Sequence, residues 1–159
     1  MMRKLIILLF FAGSLQWVCA QNAPPAVKYD SLHQEKLRYA TDSLQQIIRF
    51  SEDLLRTVKN AKTNAEKQVE KMRDYLWNGS DAEAVLARNF SRLYPKNETM
   101  KNDLVQRFHF IMHSLALYRA DLRNAGYRET GSSKKEYEYL VSRIPAFVNR
   151  LKHIITNHR

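Results

Sequence analysis

The chain has 159 residues, 26 Lys or Arg against 16 Asp or Glu, a formal net charge of +10 and a single cysteine. That length suits one ordinary domain, and one cysteine excludes a disulfide framework, so apolar burial and helix packing have to hold the fold together. With four glycines there is no glycine-rich phosphate loop, and no nucleophile turn or haem-attachment motif occurs either.

Met1-Met2-Arg3-Lys4 is a short basic head, followed by an apolar run from Leu5 to Leu15 broken by Gly13 and Ser14. Val18-Cys19-Ala20 then places small or modest side chains where a signal peptidase reads. This order predicts a secretory signal peptide over residues 1–20, cleaved between Ala20 and Gln21, and an exported protein, periplasmic or extracellular. The apolar run falls short of the ~20 residues that a spanning helix needs. Cleavage leaves 24 basic and 16 acidic residues, a net charge of +8, and removes the cysteine. Cys19 has a second reading as the acylated cysteine of a bacterial lipoprotein. That pattern wants a Leu-like residue three positions earlier and a small one directly before it, where this chain has Gln16 and Val18.

Residues 21–30 contain Pro24-Pro25 and read as an extended leader, with residues 31–159 as a single helical domain. Ser31-x-x-Gln34 resembles a capping box. Heptad rows follow: Leu37, Leu44, Val58, Ala65, Met72; Ala40, Ile47, Leu54, Ala61; Ile48, Leu55, Val69, Leu76. Three apolar positions per heptad make a broad coiled-coil-like face suited to a bundle. The rows predict one long helix over about 31–77, ended by Asn78-Gly79. Its stripe thins between Asn60 and Gln68, so the helix is expected either to bend near Asn60 to Asn64 or to overhang its neighbours. An overhang would serve self-association.

Ser80-x-x-Glu83 then opens a short helix over about 81–93, stopped by Tyr94-Pro95. A third helix is expected from about Thr99 to Ala125, with Leu104, Phe108, Ile111, Leu115 and Leu122 on its main stripe. Phe110 and Leu117 lie nearly opposite, which reads as a central helix buried on two sides. Ser133-x-x-Glu136 opens a fourth helix along Leu140, Ile144, Phe147, Leu151 and Ile155, bent by Pro145. No segment alternates as a strand does. The predicted fold is all-α: an elongated bundle of about four helices, one long and three shorter.

Few constellations carry chemistry. His109 and His113 share a helix face, but no Glu follows the first and no third ligand is apparent, so neither a metal nor a catalytic site is assigned. Met72, Met100 and Met112 read as core filler rather than haem ligands, and no cofactor is expected. The paired carboxylates Glu52-Asp53 and Glu66/Glu70 fall on solvated faces. Asn78, Asn89 and Asn97 each begin an N-glycosylation sequon, meaningful only in a eukaryotic source. The compact signal and the Ala20–Gln21 junction favour a bacterial one.

The basic excess leans C-terminal. From Tyr118 onward nine Lys or Arg face four acids, interleaved with Tyr118, Tyr127, Tyr137 and Tyr139. Such mixing permits contact with an acidic surface, with no specific nucleic-acid signature, and also fits tyrosines straddling a bundle rim.

In outline alone, a signal peptide followed by cysteine-free helices resembles three exported classes. These are the accessory components of conjugative or type IV secretion machines, the ATP-independent periplasmic chaperones, and the four-helix cytokines. The first implies a non-catalytic scaffold acting through protein–protein interaction. The second implies a basic holdase, and the third a glycosylated ligand.

Overall fold

The computed structural model describes residues 26–158, and side chains from residue 31. The expected signal peptide over residues 1–20, Cys19 and the expected Ala20–Gln21 cleavage junction lie outside the described residues. The chain divides into two units, 1–34 and 35–159. The described part of the first is the opening of α1, and the packing below belongs to the second. Four helices follow one another, α1 (Ala26–Asn60), α2 (Ala65–Leu93), α3 (Glu98–Asn124) and α4 (Gly131–Asn157), with no strand among the described residues. The fold is all-α and bundle-like.

The helices are of similar length, 35, 29, 27 and 27 residues. The expected single helix over 31–77 is instead two. It breaks at residues 61–64, where Thr63 Oγ1 donates to the Asn60 carbonyl and the Asn64 side chain accepts from Lys67 N. Each asparagine end thus satisfies backbone groups that a continuous helix would have paired. α1 already runs from Ala26, within the stretch read as an extended leader and ahead of Ser31.

Asn78-Gly79, expected to terminate a helix, lies inside α2 instead. Gly79 is buried, and a Cβ there would sit 2.6 Å from Met112 Cε on α3. The glycine serves close approach between two helices, not a stop. The Ser80-x-x-Glu83 pattern is therefore mid-helix. At α4 the cap is Thr130 rather than Ser133: Thr130 N donates to Ser133 Oγ at 2.8 Å, and Ser133 N donates to Thr130 Oγ1 at 3.1 Å.

The predicted heptad rows do form the interior. Leu44, Leu54, Val58, Val69, Met72, Leu86, Phe90, Leu104, Phe108, Leu115, Leu140, Ile144 and Leu151 are all fully enclosed. At mid-height Phe50 of α1 meets Tyr75 of α2 at 5.2 Å and Phe108 of α3 at 6.1 Å, and Phe108 meets Phe147 of α4 at 5.6 Å. Those four rings, one from each helix, make one aromatic centre.

Contacts at the two ends fix the up-down-up-down order. Lys62, in the α1–α2 turn, pairs with Glu129 at 3.5 Å and lies 4.2 Å above the Tyr137 ring near the α3–α4 turn. At the opposite end Tyr94 Oη donates to the Ile154 carbonyl at 3.0 Å, and Arg92 lies over Tyr39. Two polar residues that interrupt the apolar stripe, Ser51 and Gln68, are both buried and fare differently. Ser51 donates to the Ile47 carbonyl, while Gln68 is buried with Oε1 unpaired among the described residues.

Candidate docking face on α3 and α4

α3 decides where a site can lie, because its two sides have different partners. Leu104, Phe108, Ile111, Leu115 and Leu122 point into the bundle. Along one edge Met112 meets Gly79, and Arg119 Nε donates to the Val69 carbonyl of α2 at 2.9 Å. Along the other edge Asp121 accepts from Ser132 and Glu136 accepts from the Ser114 hydroxyl, which seats α4.

The remaining arc faces outward. It carries Gln106, His109, Phe110, His113, Ala116, Leu117 and Ala120, all exposed and none of them Lys, Arg, Asp or Glu. Phe110 is 48% exposed and Leu117 43%. The expectation of a central helix is therefore corrected. The second apolar side of α3 exists as predicted, but among the described residues no helix covers it. Trp77 adds to the exposed apolar surface. It lies two residues before the Gly79–Met112 contact and is 85% exposed. Its position off the Val69–Met72–Leu76 rows was the signal for that exposure.

Next to the outward arc, the α3–α4 seam gathers charge. Arg107 Nε donates to both carboxylate oxygens of Asp103, at 2.9 and 2.8 Å, and Arg150 Nε lies 3.8 Å from the same carboxylate. The Arg107 hydrogen bond holds the Asp103 carboxyl below its ordinary range, and Asp103 in turn raises Arg107. Arg143 lies with its guanidinium carbon 5.6 Å from the Tyr139 ring centroid.

The other sequence candidates disperse. His109 Nδ1 is 3.3 Å from Glu83 Oε2, and no group of three His, Cys, Asp or Glu among the described residues is arranged to hold a metal. Met72 is buried, while Met100 and Met112 pack against the core from its edge. Glu52 takes Lys152 at 2.7 Å, Asp53 takes Arg56, and Glu70 takes Arg73 at 3.3 Å. Those carboxylates serve exposed surface pairs that solvent screens.

The four tyrosines do not form one patch. Tyr118 is buried against Tyr137, and burial pushes its hydroxyl up to about 12. Tyr127 occupies the left-handed region at φ 64° in the α3–α4 turn, and Tyr139 alone borders the seam.

Of the sequon asparagines, Asn78 is exposed but inside α2, its Nδ2 donating to the Asp74 carbonyl. Asn89 is buried, donating to the Val85 carbonyl at 2.9 Å and accepting from Arg92 at 3.0 Å. Asn97 caps α3 by accepting from Met100 N at 3.1 Å.

A hollow of about 330 Å³ lies between α1 and α4, floored by Ile48 and Ile155. Its acid, Glu52, is the one already paired with Lys152. No described helix is long and apolar enough to cross a membrane. No protein-family model, curated protein sequence or solved structure matches this chain.

Proposed function

We propose that this chain is an exported, non-catalytic helical protein that acts by binding another protein, as an accessory or scaffold component of a bacterial cell-envelope assembly such as a conjugative or type IV secretion apparatus. One observation carries the binding part of the reading: the outward arc of α3 exposes Phe110 and Leu117 and has no Lys, Arg, Asp or Glu, in a chain of net charge +10. A surface helix with only solvent to face carries charge on that side, and a contiguous exposed apolar strip marks an interaction surface. The N-terminal basic-then-apolar order supports export. The choice of envelope assembly rests on outline alone, since a fold does not fix a function.

The test is photo-crosslinking in the source cell envelope from position Phe110, with Lys71 on the exposed side of α2 as control. A discrete adduct from Phe110 and none from Lys71 is the expected result. A broad smear of clients from both positions would favour the holdase reading, and the absence of any adduct would overturn the docking face. N-terminal sequencing of the mature chain should begin at Gln21. A mature chain that begins at Met1, or at an acylated Cys19, would overturn the export reading.

A further inference from the structure

We propose that the exposed face along α3 and α4 takes an amphipathic α-helix of a partner protein, one whose flank carries carboxylates. The proposal rests on the docking reading above and adds the chemistry of the occupant.

Spacing argues for a helix. Phe110 and Leu117 are seven residues apart on α3, and Tyr139 and Ala146 are seven apart on α4. Seven residues advance about 10.5 Å, two turns, so each helix presents side chains at a spacing that a third helix laid along them can match. The ties from Asp121 to Ser132, Glu136 to Ser114 and Arg150 to Asp103 keep α3 and α4 antiparallel in one register. Phe110 therefore falls at the level of Tyr139 and Arg143. Ala146 is exposed and small, which lets a partner backbone come close. A helix in a groove anchored by residues a turn or two apart is a recurring mode of peptide recognition.

Charge argues for acidity. Along the seam from Phe110 toward Asp103 stand Arg143, Arg107 and Arg150, with Asp103 the acid that Arg107 and Arg150 share. Arg143 forms no ion pair among the described residues and lies over Tyr139. The local surplus is two positive charges, on guanidinium forks whose planar donors match carboxylates. Toward Leu117 the surplus fades, because Glu136 and Asp121 border that end beside the exposed Lys135. The complementary helix is acidic where it passes Arg143 and Arg150, and close to neutral where it passes Leu117.

Two labelled helical peptides of about 20 residues test this by fluorescence anisotropy against the purified chain in about 50 mM salt, where surface charge is weakly screened. They share a Leu/Ala stripe and differ in one flank, Glu in the first and Gln in its twin. The Glu peptide should bind about tenfold more tightly, the yield of two part-desolvated ion pairs. Arg143→Glu with Arg150→Glu should erase that ratio and transfer the preference to a Lys-flanked peptide. Phe110→Ser with Leu117→Ser should weaken both peptides. All four positions are exposed, and an unchanged helical spectrum confirms that each variant folds.

Equal binding of the Glu and Gln peptides, with both weakened by the Phe110/Leu117 variant, overturns the acidic partner and leaves the docking face standing. Binding that ignores Phe110 and Leu117 overturns the docking face as well. Two further outcomes also overturn the proposal: binding of neither peptide with Arg143-dependent binding to phosphatidylglycerol vesicles, which would make the seam a lipid contact, and a seam occupied by a second copy in light-scattering measurements.

Discussion

Two phenylalanines on α3, two positions apart, have opposite surroundings. Phe108 is fully enclosed between Phe50 and Phe147, and Phe110 is 48% exposed. Their side chains are identical and so is their helix. The difference is what stands across from each, which a helix cannot specify by itself. An apolar residue on a helix is a demand for cover. Phe50 of α1 and Phe147 of α4 meet it for Phe108, and among the described residues no helix meets it for Phe110.

The largest test of that contrast is Phe108→Ala, expected to destabilise the fold by about 3–5 kcal/mol through lost burial and a cavity. Denaturant unfolding checks it, and a loss below about 1 kcal/mol would mean that the aromatic centre is not shared by four helices.

Next in size is the response of the buried edge of the inner face to alkali. Tyr118 is pushed up to about 12 by burial, above the ordinary tyrosine value of 10. The folded state therefore holds this proton more tightly than the unfolded state does. Its contribution to stability is complete below pH 10 and is lost as pH rises through about 12. Tyr118→Phe should flatten that loss, and absorbance titration should show one tyrosine ionising later than the rest. Identical alkaline profiles for the two proteins would contradict the burial.

A smaller effect probes the α2 edge of the same helix. Gly79→Ala gains about 1 kcal/mol of helix propensity but pushes its new methyl toward Met112 Cε. In the native background the two should nearly cancel. With Met112→Ala also present, Gly79→Ala should stabilise by about 1 kcal/mol, and additivity of the two substitutions would show that the close approach has no energetic weight.

The smallest effects belong to the outer face. Phe110→Ser and His109→Ala should each change folding stability by under about 0.5 kcal/mol in thermal melts. A loss at Phe110 rivalling that at Phe108 would show that the face is covered in the free protein.

The heptad rows made the interior readable: Leu44, Leu54, Val58, Met72, Leu104 and Leu140 were placed inward by periodicity and are buried. Helix limits were less legible, because the same residue types signal different things. Ala61 and Ala65 keep the apolar period across a real turn, whereas Asn78-Gly79 resembles a stop inside an unbroken helix. Only Met112, thirty-three residues on, explains that glycine. Ser133 was visible as a capping residue, but the choice between it and Thr130 depends on where α4 begins. The docking face was half legible. Phe110 and Leu117 stood out as a second apolar side, and Arg143, Arg150 and Tyr139 as part of a basic, aromatic C-terminal region. Their convergence on one seam depends on the antiparallel register of α3 and α4, which no local pattern encodes.

The exposure of Trp77 has a practical consequence. In a chain cleaved after Ala20, Trp77 is the sole tryptophan, since Trp17 leaves with the signal peptide. At 85% exposure its indole is already in water in the native state, so unfolding changes its surroundings little. Intrinsic tryptophan emission is thus a poor gauge of whether this protein is folded. It is a sensitive gauge of whether something has covered the outer side of α2, away from the Gly79–Met112 crossing, and a blue shift on mixing would report that contact with no label attached.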